Sequence, residues 1–483
     1  MTGALGFRIL TAVVPVSMLW VAKYIIDDIA ATIQHPGYVP PDIWWLVAAE
    51  FLLGAFGNIL GRAVDYCEAR LADQFSREVS LRIMNHAATL DLASFEDPTF
   101  YDVLERARVQ ATDRVILLHA LGTLIQQAIT LVSLSVTVIW YTPLLFLVLL
   151  ISVIPAFLGE SHMAFLGYSL AYSLTPIRRE LDYLRTLATS KEAAKEVKIF
   201  GLAPYFRDQF ATITDGVIRR TRNLQKKRFR FGSMLGMIGS VGYYAGYAYL
   251  VSQAIKGRLT IGDLQLLAGA LAGSNTQLQA VFSTFAGIAD QSLFLTDLVK
   301  FFAVEPKIGT SANGIPAPRP IRDGFEFRNV TFRYPQTDRL VLKDLNFRIA
   351  PGERVAVVGE NGQGKTTFVK LLARLYDPSS GQILLDGVDL REYRLEDLHR
   401  QIGVIFQDFM RYDLPARENI GVGQIDQLAN EDRLLAAARQ SRASEIIQRF
   451  PDGLEQMLGR RFEGGVDLSG GEWQKFALAR AYL

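Results

Sequence analysis

The 483-residue chain has a single cysteine, Cys67, so neither an intramolecular disulfide framework nor a cysteine-rich zinc site can be built from it. It has almost no charge of one sign in excess: 51 Lys and Arg stand against 49 Asp and Glu, a formal net charge of +2. That balance excludes a nucleic-acid binder working through bulk positive charge. A hydrophobic content of 50% excludes wholesale disorder. Charged residues are scarce, at 21% against about a quarter in soluble globular chains. The scarcity is uneven. The first ~300 residues are apolar, the remainder reads as ordinary soluble protein, and the length calls for two or more domains.

Several runs approach the ~20 apolar residues needed to cross a bilayer. Ile116–Tyr141 holds one charge-capable residue, His119, and Pro143–Gly159 follows after a short turn. Phe231–Ile255 and Leu264–Ala289 contain no charge. Two earlier runs are less clean. Ile9–Ala22 contains Pro15 and is short unless Lys23 snorkels to the interface. Ile43–Leu60 contains Glu50, but its nine large apolar residues supply about −4 kcal/mol against about +2.5 for a central acid, so it inserts. The expectation is six spans. A signal peptide is the rival reading of residues 1–22, and Leu19-Trp20-Val21-Ala22 is a poor cleavage site.

Basic residues set the orientation. Asp27–Asp42 has no Lys or Arg, whereas Arg219, Arg220, Arg222, Lys226, Lys227, Arg228 and Arg230 crowd the approach to the fifth span. Lys256 and Arg258 vote mildly the other way; both termini are expected in the cytoplasm. The basic cluster reads as a topology determinant with room for anionic-lipid contact. Two long connections, Arg62–Arg114 and Tyr168–Arg230, lack Gly or Pro clusters over most of their length and read as helical extensions of the spans. Breaks near Ser94–Tyr101 and Ser190–Phe200 leave room for short transverse helices that would touch a cytoplasmic partner. Intramembrane charges are candidate substrate contacts by default, here Glu50 first, then Glu160, His162 and Asp290. Cys67 reads as an inert thiol.

The Pro/Gly-rich stretch from Ser311 to Pro320 marks a domain boundary. The expected division is a transmembrane domain over 1–310, a linker over 311–319 and a second domain over 320–483. In the second, Phe325–Phe332 and Leu345–Ile349 read as strands, and Arg354–Val358 as a short apolar strand. That strand runs into Gly359, Glu360, Asn361, Gly362, Gln363, Gly364, Lys365, Thr366 and Thr367, with a helical pattern over Phe368–Leu375 behind it. This is the phosphate-binding pattern G-x-x-x-x-G-K-[ST] in a strand–loop–helix setting. The glycines let backbone N–H groups wrap phosphates, Lys365 reaches the β/γ oxygens, and the Thr366 hydroxyl ligates Mg²⁺.

Farther on, Leu468-Ser469-Gly470-Gly471-Glu472 opens a second helical pattern through Arg480. With these two motifs the chain resembles ATP-binding-cassette (ABC) proteins, whose signature reads LSGG followed by Gln or Glu. Gln407 matches the family's Q-loop glutamine and Tyr334 its adenine-stacking aromatic; Phe462–Gly465 loosely occupies the cross-talk loop position. Six spans ahead of the cassette resemble the exporter branch. The resemblance implies an all-α transmembrane domain followed by an α/β P-loop ATPase domain. It also implies ATP and Mg²⁺ as ligands, with Gln407 sensing Mg²⁺ and the attacking water. Ser469, Gly470, Gly471 and Glu472 would face a γ-phosphate held on a neighbouring cassette. A half-transporter therefore works as a dimer, more readily with its own copy than with a different chain. The ATP-driven export this implies runs across the cytoplasmic membrane, with no nucleic acid involved.

The family's pattern continues with a strand ending Asp-Glu and a switch histidine, and no Asp or Glu follows Glu472 within these residues. The sequence therefore reads as C-terminally incomplete, so that the parent protein hydrolyses ATP and these 483 residues alone do not. The alternative is a non-catalytic ATP-binding half of a heterodimer. A membrane-anchored GTPase would need an Asn-Lys-x-Asp run, which the sequence lacks. Nothing in the spans distinguishes a lipid, peptide or drug cargo.

Overall fold

The computed structural model describes residues 2–35, 40–100, 103–105, 107, 115–309 and 314–483. The chain divides into two compact units. The first comprises Met1–Asn85 and Val103–Ala303, the second His86–Asp102 and Val304–Leu483. Residues 310–313, which include the start of the expected linker, lie outside the described residues.

The first unit is helical. Its elements are α1 (Thr2–Gln34), α2 (Ile43–Thr89, which enters the second unit at its end), α4 (Val115–Tyr141), α5 (Pro143–Ser173), α6 (Thr175–Thr189), α7 (Ala194–Ile199), α8 (Ala203–Ile255) and α9 (Ile261–Phe302). Between α2 and α4 the short α3 (Leu92–Phe95) belongs to the second unit. At 1.5 Å per residue the 53 residues of α8 run about 80 Å, far beyond a ~30 Å hydrocarbon core. The long connections are helical over most of their described length, as their lack of punctuation predicts, with breaks at residues 90–91 and 190–193 ahead of the short α3 and α7. Three helices are long and apolar enough to cross a membrane among the described residues: Gly3–Gln34, Ile43–Thr89 and His119–Tyr141. The other apolar runs lie within α5, α8 and α9.

Buried Leu134, Val138, Leu145, Leu250, Leu267 and Ala270 form a core shared by α4, α5, α8 and α9. Small residues let these helices approach without lost backbone hydrogen bonds. A Cβ on Gly269 would lie 2.6 Å from Leu19, and one on Gly273 2.9 Å from Leu134. Two ionic clusters add to this. Arg8, only 4% exposed, donates to Glu68 Oε1 over 2.6 Å, to Thr123 and to Gln126, while His119 Nδ1 lies 2.5 Å from Glu68 Oε2. One arginine thereby joins α1, α2 and α4.

The second cluster corrects the snorkelling expected of Lys23. Its Nζ lies 2.9 Å from Asp263 Oδ1 on α9 and 3.3 Å from the Tyr141 hydroxyl, over the rings of Trp20, Tyr24 and Tyr141. Because α1 continues to Gln34, Lys23 is not at a helix end, and a partner replaces water. Glu50 is half-buried and His162 exposed; the side chains of Glu160 and Asp290 lie outside the described residues.

The second unit holds a four-stranded antiparallel sheet of order β2-β1-β3-β4, from β1 (Phe325–Arg333), β2 (Leu340–Ile349), β3 (Ser380–Leu385) and β4 (Val388–Asp389). Phe327 stacks on Phe347 at 4.4 Å and on Phe368 at 5.2 Å, so α10 (Lys365–Leu372) packs on the sheet through aromatic faces. The strand expected over Arg354–Val358 is not one: it pairs with no strand among the described residues, and Val358 is 92% exposed. An apolar run specifies a strand only where a neighbour supplies the ladder. The helix expected over Phe368–Leu375 starts three residues earlier, at Lys365, and ends at Leu372; the φ of 88° at Gly364 just before it suits glycine and turns the chain into α10.

A second core, with Ile420 of α11 (Ala416–Gly421), Leu434 of α12 (Glu431–Gln440), Ile446 and Leu458, receives Trp473, Phe476 and Ala479 of α13 (Gly470–Tyr482). Their i, i+3 spacing puts one face of α13 inward and leaves its N-terminus at the surface.

Candidate nucleotide-binding site

The loop Gly359–Gly364 stands before α10, and its glycines at 362 and 364 both have positive φ. Lys365 is the first helical residue. Its ammonium folds back to donate to the carbonyls of Gly359 (2.5 Å) and Glu360 (2.7 Å). The loop is thus closed around its own cation, and a triphosphate would replace those two carbonyls with charged oxygens. Glu360 N–H donates to Gln363 Oε1 over 3.1 Å, which fixes the loop's tip. Asn361 is exposed, as is Thr366, whose hydroxyl makes no hydrogen bond among the described residues; that leaves an oxygen donor facing solvent, a fit for a hard cation.

Thr367, 4% exposed, shares a hydrogen bond of 2.9 Å with the Tyr334 hydroxyl. Two of the expected site residues, from loop and strand end, therefore meet. Tyr334 lies edge-to-face with Phe332 (5.1 Å) and Tyr376 (5.3 Å) and lines a cavity of about 450 Å³ with Arg333, Asp377 and Ser379. Gln407 stands exposed in the turn after residues 402–406, and among the described residues no hydrogen bond joins it to the loop.

The signature segment is a helix start of a particular kind. Ser469 caps α13: its Oγ accepts from Glu472 N–H (3.3 Å), while its own N–H and hydroxyl donate to Glu472 Oε2, each over 2.9 Å. Arg449 holds the other carboxylate oxygen. The Ser469 N–H first, then Arg449, bring the Glu472 pKa down to about 2. A depressed carboxylate stabilises the fold above its unfolded value near 4.5 and loses that contribution as pH falls toward 2. Glu472→Gln is therefore expected to flatten the dependence of the thermal midpoint on pH between about 5 and 2, read by scanning fluorimetry; an unchanged slope would remove this role. A Cβ on Gly470 or Gly471 would meet nothing within 4 Å, so this helix N-terminus is open surface.

Arg480 ties α13 to the segment after Gln407. It donates to Met410 O (2.6 Å), Asn419 O (2.7 Å) and Asn419 Oδ1 (2.8 Å), and lies over the Tyr412 ring. The sequence reading missed Arg449 and Arg480, because both act through partners distant in the chain. It also missed Glu96, Lys370 and Tyr376. Glu96 follows α3 in the second unit and pairs with Lys370 Nζ at 2.7 Å and with the Tyr376 hydroxyl. The break near Ser94 was the available signal, though Tyr101 at its end lies outside the described residues.

A helical unit with apolar spans, and a cassette carrying a phosphate loop and a capped LSGGE helix, define a class: membrane transporters driven by nucleotide. Comparison agrees. Residues 342–483 match the ABC transporter family. The chain is 26% identical to the subtilin transport ATP-binding protein SpaT of Bacillus subtilis, over 99% of this chain and 77% of that one. It is 33% identical to the ATP-dependent lipid A-core flippase of Methylobacillus flagellatus over 62% of this chain and half of that one. In fold it resembles a bacterial Atm1-family ABC exporter solved with ATP bound, with TM-score 0.78, 22% identity, and coverage of 99% of this chain and 83% of that one. Residues 342–483 carry an ABC transporter domain, and over nearly its whole length the chain is similar to exporter-type half-transporters, which sit in a membrane, work as dimers and couple export to ATP hydrolysis.

Proposed function

We propose that two copies of this chain form a homodimer in the cytoplasmic membrane, cassettes in the cytoplasm, exporting an amphipathic peptide or lipid. The division follows that expected from the sequence, a membrane domain over 1–310, a linker over 311–319 and a cassette over 320–483, except that residues 86–102 and 304–310 go with the cassette unit. Mg-ATP sits on residues 359–367, with Tyr334 against the adenine, Lys365 on the β/γ oxygens, and Thr366 with Gln407 at the Mg²⁺. Ser469, Gly470 and Gly471 face the γ-phosphate held by the other copy.

The observation that carries this is the open N-terminus of α13. Nothing in its own cassette requires Gly470 or Gly471 to lack a side chain, while an approaching phosphate does. Closure of two cassettes on shared ATP would then rock the helical units between two states. The cargo class rests on relatives named for subtilin and nisin transport and for lipid A-core flipping. Mg-ATP affinity of the purified protein in liposomes should rise several-fold with a cationic amphipathic peptide or a lipid glycoconjugate present. Equal affinity with soluble hydrophilic solutes, or a monomer by light scattering at saturating Mg-ATP, would overturn the reading.

A further inference from the structure

The α3 segment is fastened to the cassette by buried bonds. Asp91, 8% exposed, accepts the backbone N–H groups of Lys307 (2.6 Å) and Ile308 (2.9 Å), while Leu92 and Ala93 pack against the core that contains Phe327 and Phe368. Glu96 is thereby held in one place. Its carboxylate spans two groups, Lys370 Nζ and the Tyr376 hydroxyl. Lys370 in turn lies over the rings of both Tyr334 (5.4 Å) and Tyr376 (5.6 Å). Tyr334 completes the chain through its hydroxyl to Thr367, in the first turn of α10.

Three constraints converge on Tyr334. Tyr376 meets it edge-on, Lys370 attracts its π-face, and Thr367 holds its hydroxyl. Two of the three constraining groups are themselves oriented by Glu96. Burial works against the Lys370 charge, and the bonds and charges of Glu96 and Tyr334 together more than offset it, raising the lysine pKa above its ordinary value. The ammonium therefore stays charged, and the cation–π contact persists, across physiological pH.

We propose that Glu96 is a positioning residue for the nucleotide base: through Lys370 and Tyr376 it fixes the Tyr334 ring as a rigid stacking shelf. The inference rests on Tyr334 being the base-stacking aromatic. A shelf ordered in advance spares the ligand the cost of immobilising it. By reciprocity, a bound purine then favours docking of the α3 segment by the same factor that docking favours the purine.

The test is equilibrium binding of Mg-ATP and of magnesium tripolyphosphate, which has no base, to the full chain in lipid nanodiscs. Glu96→Gln should weaken ATP about fivefold and leave tripolyphosphate unchanged. Lys370→Met, which leaves Glu96 intact, should do the same. A merely structural role would weaken both ligands together, and that result would overturn the proposal. So would a full-strength ATP site in both variants. Tyr334→Ala separates the layers. If it spares ATP affinity, the stacking assignment itself fails; if it weakens ATP while Glu96→Gln does not, only the positioning role of Glu96 fails.

Discussion

Replacing Lys365 with Met is expected to weaken ATP binding about ten- to hundredfold while leaving the thermal midpoint of the chain unchanged. In the structure the ammonium donates to two carbonyls of its own exposed loop. Those bonds exchange with water at little net cost, so their loss does not register as stability. With nucleotide present the same ammonium meets anionic oxygens. A charge-assisted bond of that kind contributes about 1.5–3 kcal/mol, and each ~1.4 kcal/mol is tenfold in affinity. Titration of wild type and variant with a fluorescent ATP analogue, beside a melting curve, reads both halves. ATP binding that survived intact would displace Lys365 from the site, and the loop would have to be read as a glycine turn alone.

Lys23→Met is expected to act in the opposite way, on stability and not on nucleotide. Lys23 and Asp263 are 14% and 13% exposed, and the lysine is the carboxylate's cationic partner. Removing it leaves a charge among helices, with the Thr260 backbone N–H, at 3.1 Å, still donating to the other oxygen. An uncompensated buried charge costs about 3–5 kcal/mol. The unfolding midpoint in detergent should fall by on the order of 10 °C. Pairing the change with Asp263→Asn should recover most of the loss, because the amide oxygen can still cap Thr260 while no charge remains. A double variant as unstable as the single one would show that packing over Trp20, Tyr24 and Tyr141, not charge, is what Lys23 contributes.

These two expectations differ in how they can be reached. Lys365 is readable from nine consecutive residues, since a phosphate loop is local: its glycines, its cation and the helix behind it are neighbours in the chain. Lys23–Asp263 joins positions 240 residues apart, and each charge taken alone looks like a solvated helix end. The same division separates Ser469–Glu472, a capping box legible in four residues, from Arg449, whose grip on Glu472 comes from a different element. Arg354–Val358 shows the division from the other side: its apolar pattern predicts a strand, and pairing, which is never local, decides against it.

Composition and pattern alone determined the membrane half, the order of the motifs and the presence of a phosphate-binding loop, because hydrophobic length and glycine-rich phosphate loops act over short stretches of chain. Only the tertiary structure decided which charges are partnered within the helices, and that the segment around Glu96 belongs with the cassette. Those outcomes depend on side chains meeting from distant parts of the chain, where the folded arrangement, and no local preference, sets the distance.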